Sequence, residues 1–234
     1  MMRLNRFLAI AGIAARRKAD ELIRQGRVAV NGRLVENPGV RIDEYQDVVT
    51  VDGKSVKYCP EFVYILLNKP RNCLSSVSDN FKRPTVVELV NAPQRVFPVG
   101  RLDFDTEGVL LLTNDGQLAY RLMHPRYEVD KVYVAELDRP IDTKDVLRLR
   151  KGVSIGEKKP VRARVQVKNS RKVELTIHEG KKRQIKRMLK SLGYQVQALQ
   201  RTKFGILECK DLKPAQWRYL SRFEVEQLRK SVGL

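Results

Sequence analysis

The stretch GRLDFDTEGVLLLTNDGQLAYRLMHP, residues 100–125, switches from one structural period to another. Val109–Leu112 is an unbroken apolar run and reads as a buried strand. Directly after it, Gln117–Met123 places Leu118 and Leu122 four residues apart and stops at His124-Pro125, which reads as a short helix. The strand reading extends outward to Phe62–Leu67, Val96–Val99, Val132–Leu137, Val161–Val167 and Val173–Ile177. A further helix is expected over Gln184–Leu192, where Ile185, Met188, Leu189 and Leu192 form one stripe ahead of Gly193. Many strands with sparse helices predict an α+β domain built on a largely antiparallel sheet.

The first residues follow a different pattern. Ala15, Ala19, Leu22 and Ile23 make one apolar helical stripe, with Arg16, Asp20 and Arg24 on another face and Gly26 at the end. Asn31-Gly32 and Asp52-Gly53 mark hairpin turns beside the short strands Arg27–Val30 and Val48–Val51. This predicts a small helix-and-hairpin domain ending near Lys57, then a linker over Tyr58–Glu61, where proline interrupts the periodicity. The expected division is residues 1–60 and 61–234.

Charge narrows the partner. The 234 residues carry 46 Lys+Arg against 27 Asp+Glu, a formal net charge of +19, which points to a polyanion. The excess is local: Arg148–Lys203 holds 18 cations and 3 acids, whereas residues 1–57 hold 11 and 7. Solubility does not call for so one-sided a cluster. Cys59, Cys73 and Cys209 are widely spaced, and with only His124 and His178 available a zinc site is not expected. His124 reads as a capping or packing residue. The odd cysteine count fits a reducing cytoplasm. No run approaches the roughly 20 apolar residues of a membrane span. Phe7–Ala15 imitates a signal peptide, but Arg16-Arg17-Lys18 follows where a cleavage region should be small and neutral.

The chemistry centres on three alternating acids, Asp103, Asp105 and Glu107. They suit a D-x-D metal site of a nuclease or phosphatase, a solvated turn, or a nucleophile loop in which one aspartate beside an arginine acts on a nucleoside. Spacing alone leaves all three open.

Two resemblances bear on the choice. RLNRFLAIAGIAARRKADELIRQGRVAVNGRLV followed by DVVTVDG, residues 3 to about 57, resembles the RNA-binding module first named in a small-subunit ribosomal protein. Ala15 stands where that family usually has serine. The resemblance implies that Arg16, Arg17, Lys18, Arg24 and Arg27 face RNA phosphates, which positions a protein without reading sequence. Residues 100–116 resemble the signature of the pseudouridine synthases that modify ribosomal RNA. That resemblance makes Asp103 the essential catalytic residue and carries no role over to Asp105 or Glu107.

HPRYEVDKVYVAEL (124–137) is similar to the motif whose tyrosine, here Tyr133, lies against the target base. HEGKKRQIKRMLKSLG (178–193) is similar to the basic helix whose cation, here Lys186, pairs with the catalytic aspartate, with Ile185 packed near the base. The family more often has arginine at that position, so a point charge replaces a fork. Arg101, Lys182 and Arg183 are expected to contact RNA. Lys69-Pro70 and RTKFG (201–205) match landmarks beside the cleft, so Lys69 is expected to contact substrate.

The resemblance implies an isomerase needing no cofactor or metal and acting on ribosomal RNA or an assembly intermediate, with the large-subunit RNA favoured over the small; a monomer is the default expectation. A non-catalytic assembly factor and a metal-dependent nuclease are the rival classes. The segment beyond Leu220 reads as a helix without an assigned function.

Overall fold

Asn31-Gly32 and Asp52-Gly53 both turn with positive φ at both residues, the geometry that lets a two-residue loop follow the natural strand twist. In the computed structural model, which describes residues 1–58 and 61–234, these turns organise the N-terminal unit, Met1–Phe62. The unit runs β1 (Met2–Arg3), α1 (Leu4–Ile10), α2 (Arg16–Arg24), β2 (Val28–Val30), β3 (Arg33–Leu34), β4 (Arg41–Ile42), β5 (Val49–Val51) and β6 (Lys54–Val56). Strands pair in the order β3-β2-β5-β6, and β1 pairs with β4. The apolar segment after Arg6 enters this core: Leu4, Phe7 and Leu8 of α1 pack with Ala19, Leu22 and Ile23 of α2. The expected linker includes Cys59 and Pro60, which lie outside the described residues.

The second unit, Val63–Leu234, is built on one mixed sheet. Its elements are β7 (Tyr64–Lys69), α3 (Val86–Val90), β8 (Phe97–Pro98), β9 (Glu107–Thr113), α4 (Gly116–Met123), β10 (Lys131–Leu137), α5 (Thr143–Lys151), β11 (Arg164–Asn169), β12 (Lys172–Ile177), α6 (Gln184–Lys190), β13 (Val196–Phe204), β14 (Leu207–Glu208), β15 (Trp217–Tyr219) and α7 (Arg222–Ser231). The order is β11-β12-β10-β13-β9-β7-β15, with β14 on β13 and β8 on β9. Among the described residues every pairing in this sheet is antiparallel except β9 with β13.

Alternation along β9 explains its unbroken apolar run. Leu110 and Leu112 face a core shared with α3, α5 and α6, while Val109 and Leu111 face one shared with α4 and α7. A strand covered on both faces has no polar side to show. At the parallel seam Gly108 has φ +109, and an added Cβ would overlap the backbone carbonyl of Arg201. Only glycine allows the two strands to close there.

The C-terminal helix is structural. Leu228 of α7 and Val232 beyond it fill the second core. Asp115 caps α4 by accepting from the N–H groups of Gln117 and Leu118. The same carboxylate accepts from Tyr64 Oη at 2.9 Å and Arg229 at 2.8 Å, tying α7 to the helix cap. Burial, with the Asp115 charge beside it, pushes the Tyr64 phenol up to about 12.

Candidate active site

Residues 101–106 cross from β8 to β9 as a loop without regular structure of its own, so side-chain ties must fix its course. The N–H of Thr106 donates to the carbonyl of Asp103 at 3.0 Å, closing a turn. Ser75 bridges the loop's start: its hydroxyl donates to the Leu102 carbonyl at 3.0 Å and accepts from the Leu102 N–H at 3.1 Å. The N–H of Asn72 donates to the Phe104 carbonyl at 2.8 Å.

The central tie is Lys69, at the end of β7. Its ammonium donates to the carbonyls of Thr106 at 2.8 Å, Pro70 at 2.9 Å and Asp103 at 3.2 Å, with Phe104 at 3.5 Å. Its three N–H groups thus gather the carbonyls of a bent loop that has no strand partner to satisfy them. Lys69 is 0% exposed, which corrects the expected substrate contact: no RNA can reach it. Burial pulls its pKa down to about 8, against the opposing pull of Cys73, Asp105, Asp103 and Glu107.

The loop delivers its three acids to different surroundings. Asp103 lines a pocket of about 70 Å³ together with Arg101, Tyr133, Arg183, Ile185 and Leu199. Among the described residues the Asp103 carboxylate makes no hydrogen bond or ion pair. Asp105 meets Lys186 of α6 at 2.5 Å, and Glu107 meets Arg71 at 3.8 Å. The expected pairing of Lys186 with Asp103 is therefore corrected to Asp105. The turn closed by Thr106 separates the two carboxylates, leaving the first at the pocket and giving the second to the helix. Burial pushes the Asp105 carboxyl up, but the Lys186 hydrogen bond and charge outweigh it and hold the group below its ordinary value.

Tyr133 is 8% exposed and projects from β10, where it pairs with Leu175 on β12 and Arg201 on β13. Ile185 reaches the pocket from the first turn of α6. Arg183, just before that helix, has a left-handed backbone (φ 51) and an exposed side chain at the pocket. Lys182 is exposed and lies off the pocket lining.

Two pocket residues, and one buried lysine outside its lining, escaped sequence reasoning. Leu199 is a pocket wall from β13. Gln184 is buried at the pocket, where its amide spans the Lys181 N–H and Glu179. Lys131 is a second buried lysine, donating to the carbonyls of Val129 at 3.1 Å and His178 at 2.7 Å. Burial, with Arg201 nearby, lowers its pKa to about 8. A lysine that opens a strand gives no sequence signal that its charge will turn inward.

A larger cavity of about 740 Å³, around Asn68, Arg201 and Cys209, holds none of the expected site residues. Among the described residues no three His, Cys, Asp or Glu side chains group to hold a metal. Among the same residues no helix is long and apolar enough to cross a membrane. His124 caps the turn after α4, its Nδ1 accepting from the Arg126 N–H.

In the N-terminal unit Arg16, Arg17, Lys18, Arg24 and Arg27 are all exposed. Arg27 is engaged by Asp52 through two hydrogen bonds and Lys18 by Glu21 at 2.8 Å. Arg17 and Arg24 make no ion pair among the described residues.

Comparison with known proteins follows the same division. Residues 63–191 match the family model for RNA pseudouridylate synthase, and residues 2–49 match that for the S4 domain. An uncharacterized RNA pseudouridine synthase of Aquifex aeolicus is 45% identical, covering 100% of this chain and 96% of that relative. The ribosomal large subunit pseudouridine synthase B of Bacillus subtilis is 43% identical over 98% of this chain and 96% of its own length. A crystal structure of a pseudouridylate synthase superposes with a TM-score of 0.72 at 33% identity, covering 97% of this chain and 100% of that one.

Proposed function

The chain belongs to the RNA pseudouridine synthase family, and from that premise we propose that it isomerises a uridine of large-subunit ribosomal RNA. The observation that carries the reading is the Asp103 carboxylate, which has no bonded partner among the described residues, lines one pocket with Tyr133 and sits on a loop pinned at its backbone. The preference for the large subunit rests on the Bacillus relative's name.

The reaction breaks the bond from uracil N1 to the sugar and forms one from C5. The C5 proton leaves, N1 gains one, and nothing is oxidised or reduced. Asp103 engages the nucleoside. Tyr133 offers a stacking face and a hydroxyl that can move a proton. Lys186 acts through Asp105, holding the loop beside the reacting group. Arg101, exposed next to Asp103, fills the space the nucleotide leaves. Extracting a base from its stack costs about a few kcal/mol. Phosphate contacts by Arg16, Arg17, Lys18, Arg24 and Arg27 in the N-terminal module, and by Lys182 and Arg183 in the catalytic one, offset that cost. The chain divides near residue 60, works as a monomer, and meets its RNA, or an assembly intermediate, in the cytoplasm.

Pseudouridine mapping of ribosomal RNA from a deletion strain tests this. One large-subunit site should vanish, return with the wild-type gene, and stay absent with Asp103→Asn, whose activity should fall more than about 10³-fold. Restoration by Asp103→Asn overturns the assigned residue. A site lost from the small subunit instead overturns the choice of RNA.

A further inference from the structure

The segment between β7 and α3 carries a large apolar side chain that no core absorbs: Phe81 is 79% exposed. A single exposed phenylalanine is ordinary on a protein surface. This one sits in a segment that hydrogen bonds tie at its base, beside residues 102–104, and again at its tip.

Two sets of contacts fix it. At its base the segment is stitched to residues 102–104 by the Ser75 bridge to Leu102 and by the Asn72–Phe104 hydrogen bond. Leu74 and Thr85 close its neck through a backbone bridge. At its tip the Asp79 carboxylate accepts from the N–H groups of Phe81 at 3.0 Å and Arg83 at 3.1 Å, and from the Arg83 guanidinium at 2.8 Å. That pairing with Arg83 holds the Asp79 carboxyl at about 2. It also holds Lys82 in the left-handed region (φ 56), a conformation lysine does not choose unaided. The Arg83 guanidinium lies 5.3 Å from the Phe81 ring centroid.

Phe81 is six positions along the chain from Ser75, so its Cα lies within about 20 Å of the Cα of Ser75, which is itself bonded to the pocket-lining Leu102. An exposed ring on a backbone-tied turn, beside the Lys82 cation, matches what unpaired RNA requires: a flat apolar face for a base and positive charge for its phosphate.

We propose that Phe81 is a stacking platform for an unpaired base near the target uridine, with Lys82 on that nucleotide's phosphate. The proposal deepens the RNA-modifying reading and rests on it for the class of ligand.

The test uses the full chain and transcribed large-subunit ribosomal RNA, measuring Kd across a salt series alongside pseudouridine formation. Phe81→Ala should raise Kd about ten- to a hundredfold. Its salt slope should not change, because stacking releases no counterions. Phe81→Trp should restore binding to within about threefold. Lys82→Ala should instead reduce the slope by about 0.7, the share of one single-strand phosphate. The thermal midpoint of Phe81→Ala should stay within about 2 °C of wild type, since the ring packs on no core.

An unchanged Kd for Phe81→Ala, with wild type active, overturns the platform alone. Failure of Phe81→Trp to restore binding overturns it too. Wild type that binds through Phe81 but forms no pseudouridine on this RNA overturns the choice of substrate and leaves the platform standing.

Discussion

Arg16-Arg17-Lys18 and Lys69 carry the same sign of charge and meet opposite environments. The first three lie exposed at the start of α2, each in water or against a neighbour that water can replace. Lys69 is sealed beneath the loop of Asp103, and among the described residues its bonded partners are backbone carbonyls. A cation in solvent is available to a phosphate and adds little to folding. A cation removed from solvent must be satisfied by the protein, and in return it fixes the groups that satisfy it. A chain with a net charge of +19 thus places its cations in two settings, some where a ligand can reach them and some where they shape the backbone of its own candidate site.

The largest effect that would test this contrast is on folding. Lys69→Met removes the donors from several buried carbonyls and should destabilise the chain by about 3 kcal/mol or more, lowering the thermal midpoint by about 10 °C. Calorimetry of the variant checks this, and a midpoint within 2 °C of wild type would break the contrast at its buried end. pH sharpens it. The folded-state pKa of Lys69, about 8, lies below the ordinary lysine value, so from about pH 8 to 10 the unfolded chain binds more protons at this site. Wild type should therefore gain stability relative to Lys69→Met as pH rises through that window. Below it the full cost of burying the charge is present, and a gap that narrows on raising pH would contradict the assignment.

The exposed end should respond in the opposite way. Replacing Arg16, Arg17 and Lys18 together by alanine should leave the unfolding free energy within about 0.5 kcal/mol per site. RNA affinity should fall, and the salt slope should flatten by about 0.7–0.9 for each lost phosphate contact. An unchanged slope would remove the N-terminal module from the RNA contact.

Lys186 sits between these extremes, 14% exposed against a 57% exposed Asp105. A double-mutant cycle of Lys186→Met and Asp105→Asn on stability should give a coupling of only about 0.5 kcal/mol, because solvent screens half of the pair. If the same cycle on kcat shows no coupling, Lys186 does not act through Asp105.

The sequence was most legible where periodicity and turn chemistry act locally. The β9–α4 pair and both type I′ hairpin turns follow from their own residues. Edges were less legible: the run Val161–Val167 yields a bridge at Val161 and a strand only from Arg164, since its start leans on Val153 rather than on a continuous partner. Helix α5 gave no clear stripe, with Val146 and Leu149 its buried residues among seven others. At the site, Asp103, Tyr133 and Ile185 come to one pocket from three distant segments. Leu199 and Gln184 join them through register and helix phase, which no local pattern announces.

Sequence alone determined the α+β class, the family and six of the sheet's strands, because periodicity, turn residues and short motifs are written within a few neighbouring positions; it missed the central strand β13, whose mixed polar and apolar residues show no clean period. Tertiary structure decided which cation each carboxylate meets and which lysine lies inside. Lys69 and Lys186 are equal as letters, and only the closing of the 101–106 loop separates them. Burial and hydrogen-bond geometry are properties of atoms brought together from distant parts of the chain, so the loop puts one lysine beneath Asp103 and leaves the other to Asp105.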